Sequence, residues 1–229
     1  MKQKLSFIYI VTVISILFFL WGFNKSVTVS SEHAPYSREI CFIIDPGHGG
    51  VDGGATSCTG KLESALNLEI ALRLRDLFHI LGYKTQMIRT SDVSVYTEGN
   101  TISQKKISDL KERVRICNET DNGVLISIHQ NNFTDGRYSG AQIFYAPTDG
   151  SHEYAQHLQK ELIRTLNPRS KRLEKKATGI YLLEHIRCKG ILIECGFLSN
   201  PEEEARLRNK EYQQKLCCVI AAGSISYFT

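Results

Sequence analysis

Three apolar runs in this chain each end in a side chain able to do chemistry. His48 follows Ile40-Cys41-Phe42-Ile43-Ile44, His129 closes Val124-Leu125-Ile126-Ser127-Ile128, and Glu194 closes Ile191-Leu192-Ile193. Runs of this length and β-branched content read as buried strands. The carboxyl ends of parallel strands share one edge of a sheet, and open α/β folds bind their ligands there. Glu63 opens the helix that follows the first strand's loop, so it belongs to the same edge. Two histidines and a carboxylate are a three-ligand set for catalytic zinc, with a fourth position left for water. A second carboxylate, off the metal, then serves as general base for that water. The pattern assigns His48, Glu63 and His129 as ligands of one Zn2+ per chain, and Glu194 as the base.

Each residue also has a plainer reading. Glu63 could simply favour a helix N-terminus through the dipole, His129 could be a hydrogen-bonded core histidine, and His48 an ordinary loop histidine. Asp52, four residues after His48, is a rival ligand. The glycines at 47, 49, 50, 53 and 54 suggest a phosphate cradle, but neither GxGxxG nor GxxxxGK[ST] is present. Cys195 adjoins Glu194 and leaves a cysteine nucleophile open. Glu194 resists a plain reading, because a carboxylate ending an Ile-Leu-Ile run is costly to bury unless paired or bound.

Amphipathic helices separate the strands. Leu66, Ile70, Leu74, Leu77 and Leu81 recur at spacings of four and three, and Gly82 is placed to end that helix. Tyr83 to Ile88 resembles a strand. A polar loop at 91–103 precedes a helix from about Gln104 to Glu119, whose apolar face would be Ile107, Leu110, Val114 and Cys117. Ala141 to Ala146 reads as a strand and 151–166 as a helix. Two terminal helices are expected near Pro201–Arg208 and Glu211–Tyr227. Alternating strands and helices predict an α/β domain, a mainly parallel sheet with helices on both faces. Residues 164–176 are basic and read as a solvated loop or a contact for an anionic polymer or partner.

The bulk properties fit one such domain. The chain has 229 residues, 42% hydrophobic and 23% charged, and a net charge of +4 to which Lys2 and Lys4 contribute. That balance is too mild to argue for nucleic acid. The seven cysteines include no CxxC, so no thiolate zinc site and no redox motif is evident. Leu5 to Phe23 is uncharged and, as a helix at ~1.5 Å per residue, reaches ~28 Å, close to a bilayer core. No A-x-A-like cleavage site follows, which favours an anchor over a cleaved signal, and the lysines before it place the remainder outside. The expected division is a membrane anchor or signal segment at 1–25, a tether at 26–39 and a catalytic domain at 40–229.

Asp45-Pro46-Gly47-His48-Gly49-Gly50, Glu63 with Asn67-Leu68, Arg89 with Asp92, Arg113 with Asn118, Ser127-Ile128-His129-Gln130-Asn131 and Ile193-Glu194-Cys195-Gly196-Phe197-Leu198-Ser199-Asn200 closely resemble the zinc-dependent N-acetylmuramoyl-L-alanine amidases (the type 3 catalytic domain). The matches run in order over about residues 40–228. The resemblance implies zinc on the positions of His48, Glu63 and His129, and a catalytic glutamate at Glu194. It implies hydrolysis of the amide between N-acetylmuramic acid and L-alanine, with peptidoglycan as substrate. Asp45, Asn67 and Asn131 are candidates for supporting or substrate contacts. A lone catalytic domain behind a hydrophobic segment is similar to the germination-specific branch of endospore formers, which implies action on spore cortex in muramic-δ-lactam formation, in the forespore intermembrane space. Amidases of this family are often held back until a partner engages them, so an activating protein is expected, acting on metal affinity or on the loops at 91–103 and 164–176. The rivals are another zinc peptidase of wall peptides and a non-catalytic wall-binding module, which would not need all four residues.

Overall fold

The computed structural model describes residues 39–229; the expected anchor and nearly all of the tether lie outside the described residues. The strands are β1 (Cys41–Pro46), β2 (Lys84–Met87), β3 (Gly123–Asn131), β4 (Gln142–Tyr145), β5 (Lys175–Lys176) and β6 (Lys189–Phe197). The helices are α1 (Glu63–Ile80), α2 (Ile102–Glu119), α3 (Ser151–Leu166), α4 (Tyr181–His185), α5 (Pro201–Arg208) and α6 (Lys210–Phe228). They form one six-stranded sheet in the order β2-β1-β3-β6-β4-β5. The central pairs β2·β1, β1·β3 and β3·β6 are parallel, as expected. β4 departs from that plan and runs antiparallel to β6, with β5 parallel to β4 outside it. No helix lies between β3 and β4, so the crossover that a parallel neighbour needs is absent.

Strand alternation divides the core in two. Phe42 and Ile44, Ile126 and Ile128, and Ile191, Ile193 and Cys195 face a large cluster completed by Leu66, Ile70 and Leu74 of α1, Tyr154, Leu158 and Leu162 of α3, and Leu216 and Ile220 of α6. Ile43, Leu125 and Leu192, the residues in between, face a smaller cluster with Cys117 of α2 and Leu182 and Leu183 of α4. By the same parity Asp45, Ser127, His129 and Glu194 project to the side of the smaller cluster.

Local chemistry explains the helix ends. Gly82, with φ +82°, follows the last turn of α1, where a left-handed residue closes a helix at least strain. Thr101 and Gln104 form a reciprocal capping box at the start of α2, so the helix begins two residues earlier than its apolar spacing indicated. Asn200 and Asn209 cap α5 and α6 with their side chains.

The expected apolar face of α2 is only half right. Cys117 is buried, but Ile107 is 52% exposed and Leu110 36%, while the buried residues of this helix include Ser108 and Arg113. The amino-terminal half of α2 therefore borders a cleft instead of sealing a core.

Candidate metal centre

The loop after β1 is built to bring backbone and imidazole close together. His48 has φ +61°, a left-handed conformation that costs a non-glycine residue free energy and clusters at functional sites. A Cβ at Gly47 would lie 2.1 Å from Nε2 of His129, so only glycine lets that ring occupy its position. At Gly54, with φ +69°, a Cβ would meet both Glu63 Oε2 and the His48 ring at 2.7 Å.

Two buried arginines hold this loop in place. Arg89 donates from Nε to the Pro46 carbonyl at 2.9 Å, and from Nη2 to the carbonyls of Gly47 at 3.1 Å and Ser64 at 2.9 Å. Arg113 donates to the carbonyls of Pro46 at 3.1 Å and His48 at 2.8 Å, and pairs with Asp45 and Asp109. Asp45 also accepts from Ser127 Oγ at 2.6 Å. Burial alone would raise the Asp45 carboxyl, but the charge of Arg113 outweighs it and holds the group below its ordinary value. Composition and spacing do not single out Arg89 and Arg113; within the matched motifs they were only accompanying residues, and their role becomes visible through the carbonyls they serve.

Glu63 sits between the two histidines. Its Oε2 lies 3.3 Å from His48 Nε2 and its Oε1 lies 3.1 Å from His129 Nδ1. One ligand atom from each of His48, Glu63 and His129 falls within 4.8 Å of the others, a group that could hold a metal ion. The carboxylate is fixed by Ala55 N at 3.0 Å, Gln130 N at 3.1 Å and Asn67 Nδ2 at 3.3 Å. Asn67 also donates to the Gly47 carbonyl at 3.1 Å and accepts from Gln130 at 3.2 Å, so it supports both the ligand and the loop. Asp52 lies outside the group. Its Oδ2 is 2.9 Å from Nδ1 of His48, which leaves Nε2 as the nitrogen that faces Glu63. Such a contact to the outer nitrogen sets the tautomer and orientation of a ligating histidine.

Glu63 and His48 shift one another's charge. Burial raises Glu63, yet its hydrogen bonds with His129 and His48 bring it far below the ordinary carboxylate range. Burial lowers His48, but Glu63 and Asp52 carry it up to about 9. A divalent ion of borderline softness suits the same nitrogen and oxygen donors.

Glu194 completes the arrangement. The β3·β6 register sets it directly beside His129. Its Oε2 is buried without a hydrogen-bond partner. Burial first, and the nearby Glu63 charge, push the carboxyl up to about 7 against the pull of the two histidines. Cys195 points into the opposite, larger cluster and its Sγ meets the Ile193 carbonyl at 3.7 Å. Burial pushes its thiol well above the usual value, so the site offers no thiolate nucleophile there. Asn131 offers its backbone carbonyl to Leu198 N at 2.7 Å.

The loop at 91–101 is tied down beside the His48 loop. Gly50 N donates to Asp92 at 3.0 Å and Ser94 Oγ to the Gly49 carbonyl at 2.6 Å, while Val95 N reaches Asp109 at 2.7 Å. The basic stretch at 164–176 includes the last turn of α3 and strand β5; within it Arg172 donates to the Ser139 carbonyl at 2.9 Å and lies 4.8 Å over the Phe197 ring.

The N-acetylmuramoyl-L-alanine amidase family profile matches residues 42–225. Over its whole length the chain is 38% identical to the germination-specific N-acetylmuramoyl-L-alanine amidase of Bacillus subtilis (strain 168), of which it covers 97%. Its fold is similar to that of the CwlD amidase from Clostridioides difficile, solved in complex with the GerS lipoprotein, with a TM-score of 0.78 and 37% identity over 82% of this chain and 98% of that one. A second solved relative, an N-acetylmuramoyl-L-alanine amidase from Clostridium difficile 630, gives a TM-score of 0.72 and 32% identity over 83% of this chain and 97% of that one. With two histidines and two glutamates gathered at one sheet edge, a family profile that matches most of the chain, and a relative 38% identical along its whole length, the chain belongs to the N-acetylmuramoyl-L-alanine amidase family.

Proposed function

We propose that this chain hydrolyses the amide between N-acetylmuramic acid and L-alanine in peptidoglycan, and does so on spore wall to prepare it for germination. The observation that carries the reading is Glu194 Oε2, buried and unpartnered beside the His48, Glu63 and His129 group. His48, Glu63 and His129 would hold one zinc ion, which when bound would supply Lewis acidity for the amide carbonyl and a water of lowered pKa. The remaining work belongs to the chain. Asp52 orients His48, and Gln130 N, Ala55 N and Asn67 orient Glu63. Arg89 and Arg113 fix the loop carbonyls, so the His48 ring stays where it is needed. Glu194 Oε2 takes the proton of the attacking water and returns it to the alanine nitrogen as the C–N bond breaks. A carboxylate held in a largely desolvated position beside the group can serve as base and then as acid.

The germination role is supported by the Bacillus relative, which the chain matches almost end to end. A wall substrate requires export, in keeping with the apolar stretch from Leu5 to Phe23. An activating protein partner is supported by the Clostridioides relative, which was solved with a lipoprotein; here it would favour the ordered, metal-competent state. The decisive experiment is muropeptide analysis with the Zn2+-loaded protein. New amino-terminal alanine on free stem peptides is expected. Cleavage only within the peptide would make the enzyme a peptidase instead, and intact muropeptides from fully loaded protein, with and without a partner, would refute hydrolysis.

A further inference from the structure

Two cysteines meet at the sheet edge opposite the metal centre. Cys117 lies in the last turn of α2 and is buried in the smaller cluster, while Cys188, half-buried, immediately precedes β6 and packs against the same cluster. The residues beside them tie the two segments together. Asn118 donates from Nδ2 to the His185 carbonyl at 3.2 Å and accepts from Arg187 N at 2.7 Å. Thr148 Oγ1 holds the Cys188 carbonyl at 2.9 Å. The Cys117 thiol hydrogen-bonds to the Cys188 sulfur, which lowers Cys188 below the ordinary thiol value and, together with burial, raises Cys117. The two differ in access. A cavity of about 560 Å³ opens at the amino ends of β1, β3 and β6, and its wall includes Gly123, Arg187, Cys188 and Lys189 but not Cys117. A cysteine open to solvent and favoured as thiolate is the one that reacts with a disulfide.

We propose that Cys117 and Cys188 form a disulfide by exchange with a small-molecule disulfide, Cys188 being the thiol that meets the oxidant and Cys117 the thiol that resolves it. The Cys188 thiolate attacks one sulfur of the oxidant, whose S–S bond breaks and releases one thiolate. Cys117 then attacks the Cys188 sulfur of the mixed disulfide, forms the protein S–S bond and expels the second thiolate. The two protein thiols are oxidised, the oxidant is reduced to two thiols, and the two protons leave with them. The bond closes a loop of about 70 residues, and the cross-link acts largely by restricting the unfolded chain. It fastens the helix that carries Arg113 to the strand that carries Glu194. The inference is independent of the amidase reading.

The test uses the full chain with Cys58→Ser and Cys218→Ser, which removes the two exposed thiols. The reduced protein is exposed to oxidised glutathione, quenched with an alkylating agent and mapped by mass spectrometry. A peptide linked through Cys117 and Cys188 is expected, with no glutathione retained and a melting temperature raised by about 5–15 °C that falls back on reduction. Adding Cys117→Ala should trap glutathione on Cys188 and abolish the rise, and adding Cys188→Ala should leave Cys117 unmodified. Circular dichroism is measured on each variant, and an unfolded Cys117→Ala is replaced by Cys117→Val. Free thiols at both positions after oxidation, glutathione that stays on Cys188 while Cys117 is present, or linkage through another cysteine overturns the pair. A linked peptide without the rise in melting temperature overturns the fastening of α2 to β6.

Discussion

The two faces of the sheet are made of the same strands and do opposite things. On one, α1, α3 and α6 close over an uninterrupted apolar cluster from Ile40 to Ala221. On the other, the cluster is smaller and gives way toward the strand ends to Asp45, Ser127, His129 and Glu194, with Arg113 delivered from α2. The closed face gains its stability from burial of apolar area. The open face places ionisable groups out of water and pairs Asp45, Glu63 and Arg113 but leaves Glu194 Oε2 without a partner, a costly arrangement that persists when a function needs it. The contrast assigns stability to one face and chemistry to the other, and substitutions can separate them.

The largest effect should come from Glu194→Gln. Hydrolysis should fall roughly 10²–10⁴-fold, with zinc content and melting temperature close to wild type. Loss of zinc together with activity would make Glu194 a ligand and displace Glu63. Conversely, His48→Ala combined with His129→Ala should remove the metal, and stoichiometric zinc retained in that double variant would end the assignment.

Next is Arg113→Met. It strands the buried Asp45 carboxylate, and removing one partner of a buried pair costs about 3–5 kcal/mol. Denaturant unfolding should show that loss at neutral pH, and adding Asp45→Asn should restore much of it. A loss that Asp45→Asn does not relieve would mean that the carbonyl contacts of Arg113, not the ion pair, carry the effect.

What the sequence revealed follows the same division. The closed face was legible because it is periodic: Leu66, Ile70 and Leu74 mark α1, and Tyr154, Leu158 and Leu162 mark α3 at its observed bounds. The four candidate residues were legible because each ends a buried run or opens a helix at the same sheet edge. The open face was not. The spacing of Ile107 and Leu110 imitates a core stripe, yet this half of α2 buries Arg113 through an ion pair that only tertiary contact with Asp45 creates. The direction of β4 depends on its pairing with β6, which no local pattern encodes. Helix α4 and strand β5 are too short to show a period.

A third experiment concerns pH. In metal-free protein the Glu194 carboxyl stands at about 7, above its unfolded value of about 4.3. A carboxyl raised in the fold favours folding below its unfolded value, and that contribution disappears as pH rises through the folded value. Chelated wild type should therefore lose stability relative to chelated Glu194→Gln between about pH 4 and pH 7, by about 1–3 kcal/mol once partial solvent access is allowed for. Asp45 has the opposite sign. Its lowered carboxyl favours folding above about pH 4 and should lose that contribution as pH falls. Parallel stability curves for wild type and Glu194→Gln across this range would show that Glu194 is not held in a desolvated site.

The smallest effect sharpens the contrast best, because it applies one substitution to both faces. Leu158 is fully buried in the closed cluster, whereas Leu110 is 36% exposed at the cleft. Leu158→Ala leaves a cavity and should cost about 2–5 kcal/mol, with kcat per folded molecule unchanged. Leu110→Ala removes a side chain whose outer surface already meets water, so the lost burial should amount to about 1 kcal/mol or less. Its main consequence should appear in KM, which is expected to rise about two- to fivefold as the cavity beside His48 and His129 loses apolar wall. Unfolding curves and muropeptide kinetics on the two variants measure both quantities together. A cost at Leu110 equal to that at Leu158, with KM unmoved, would mean that α2 seals a core after all and that the cleft is not a binding surface.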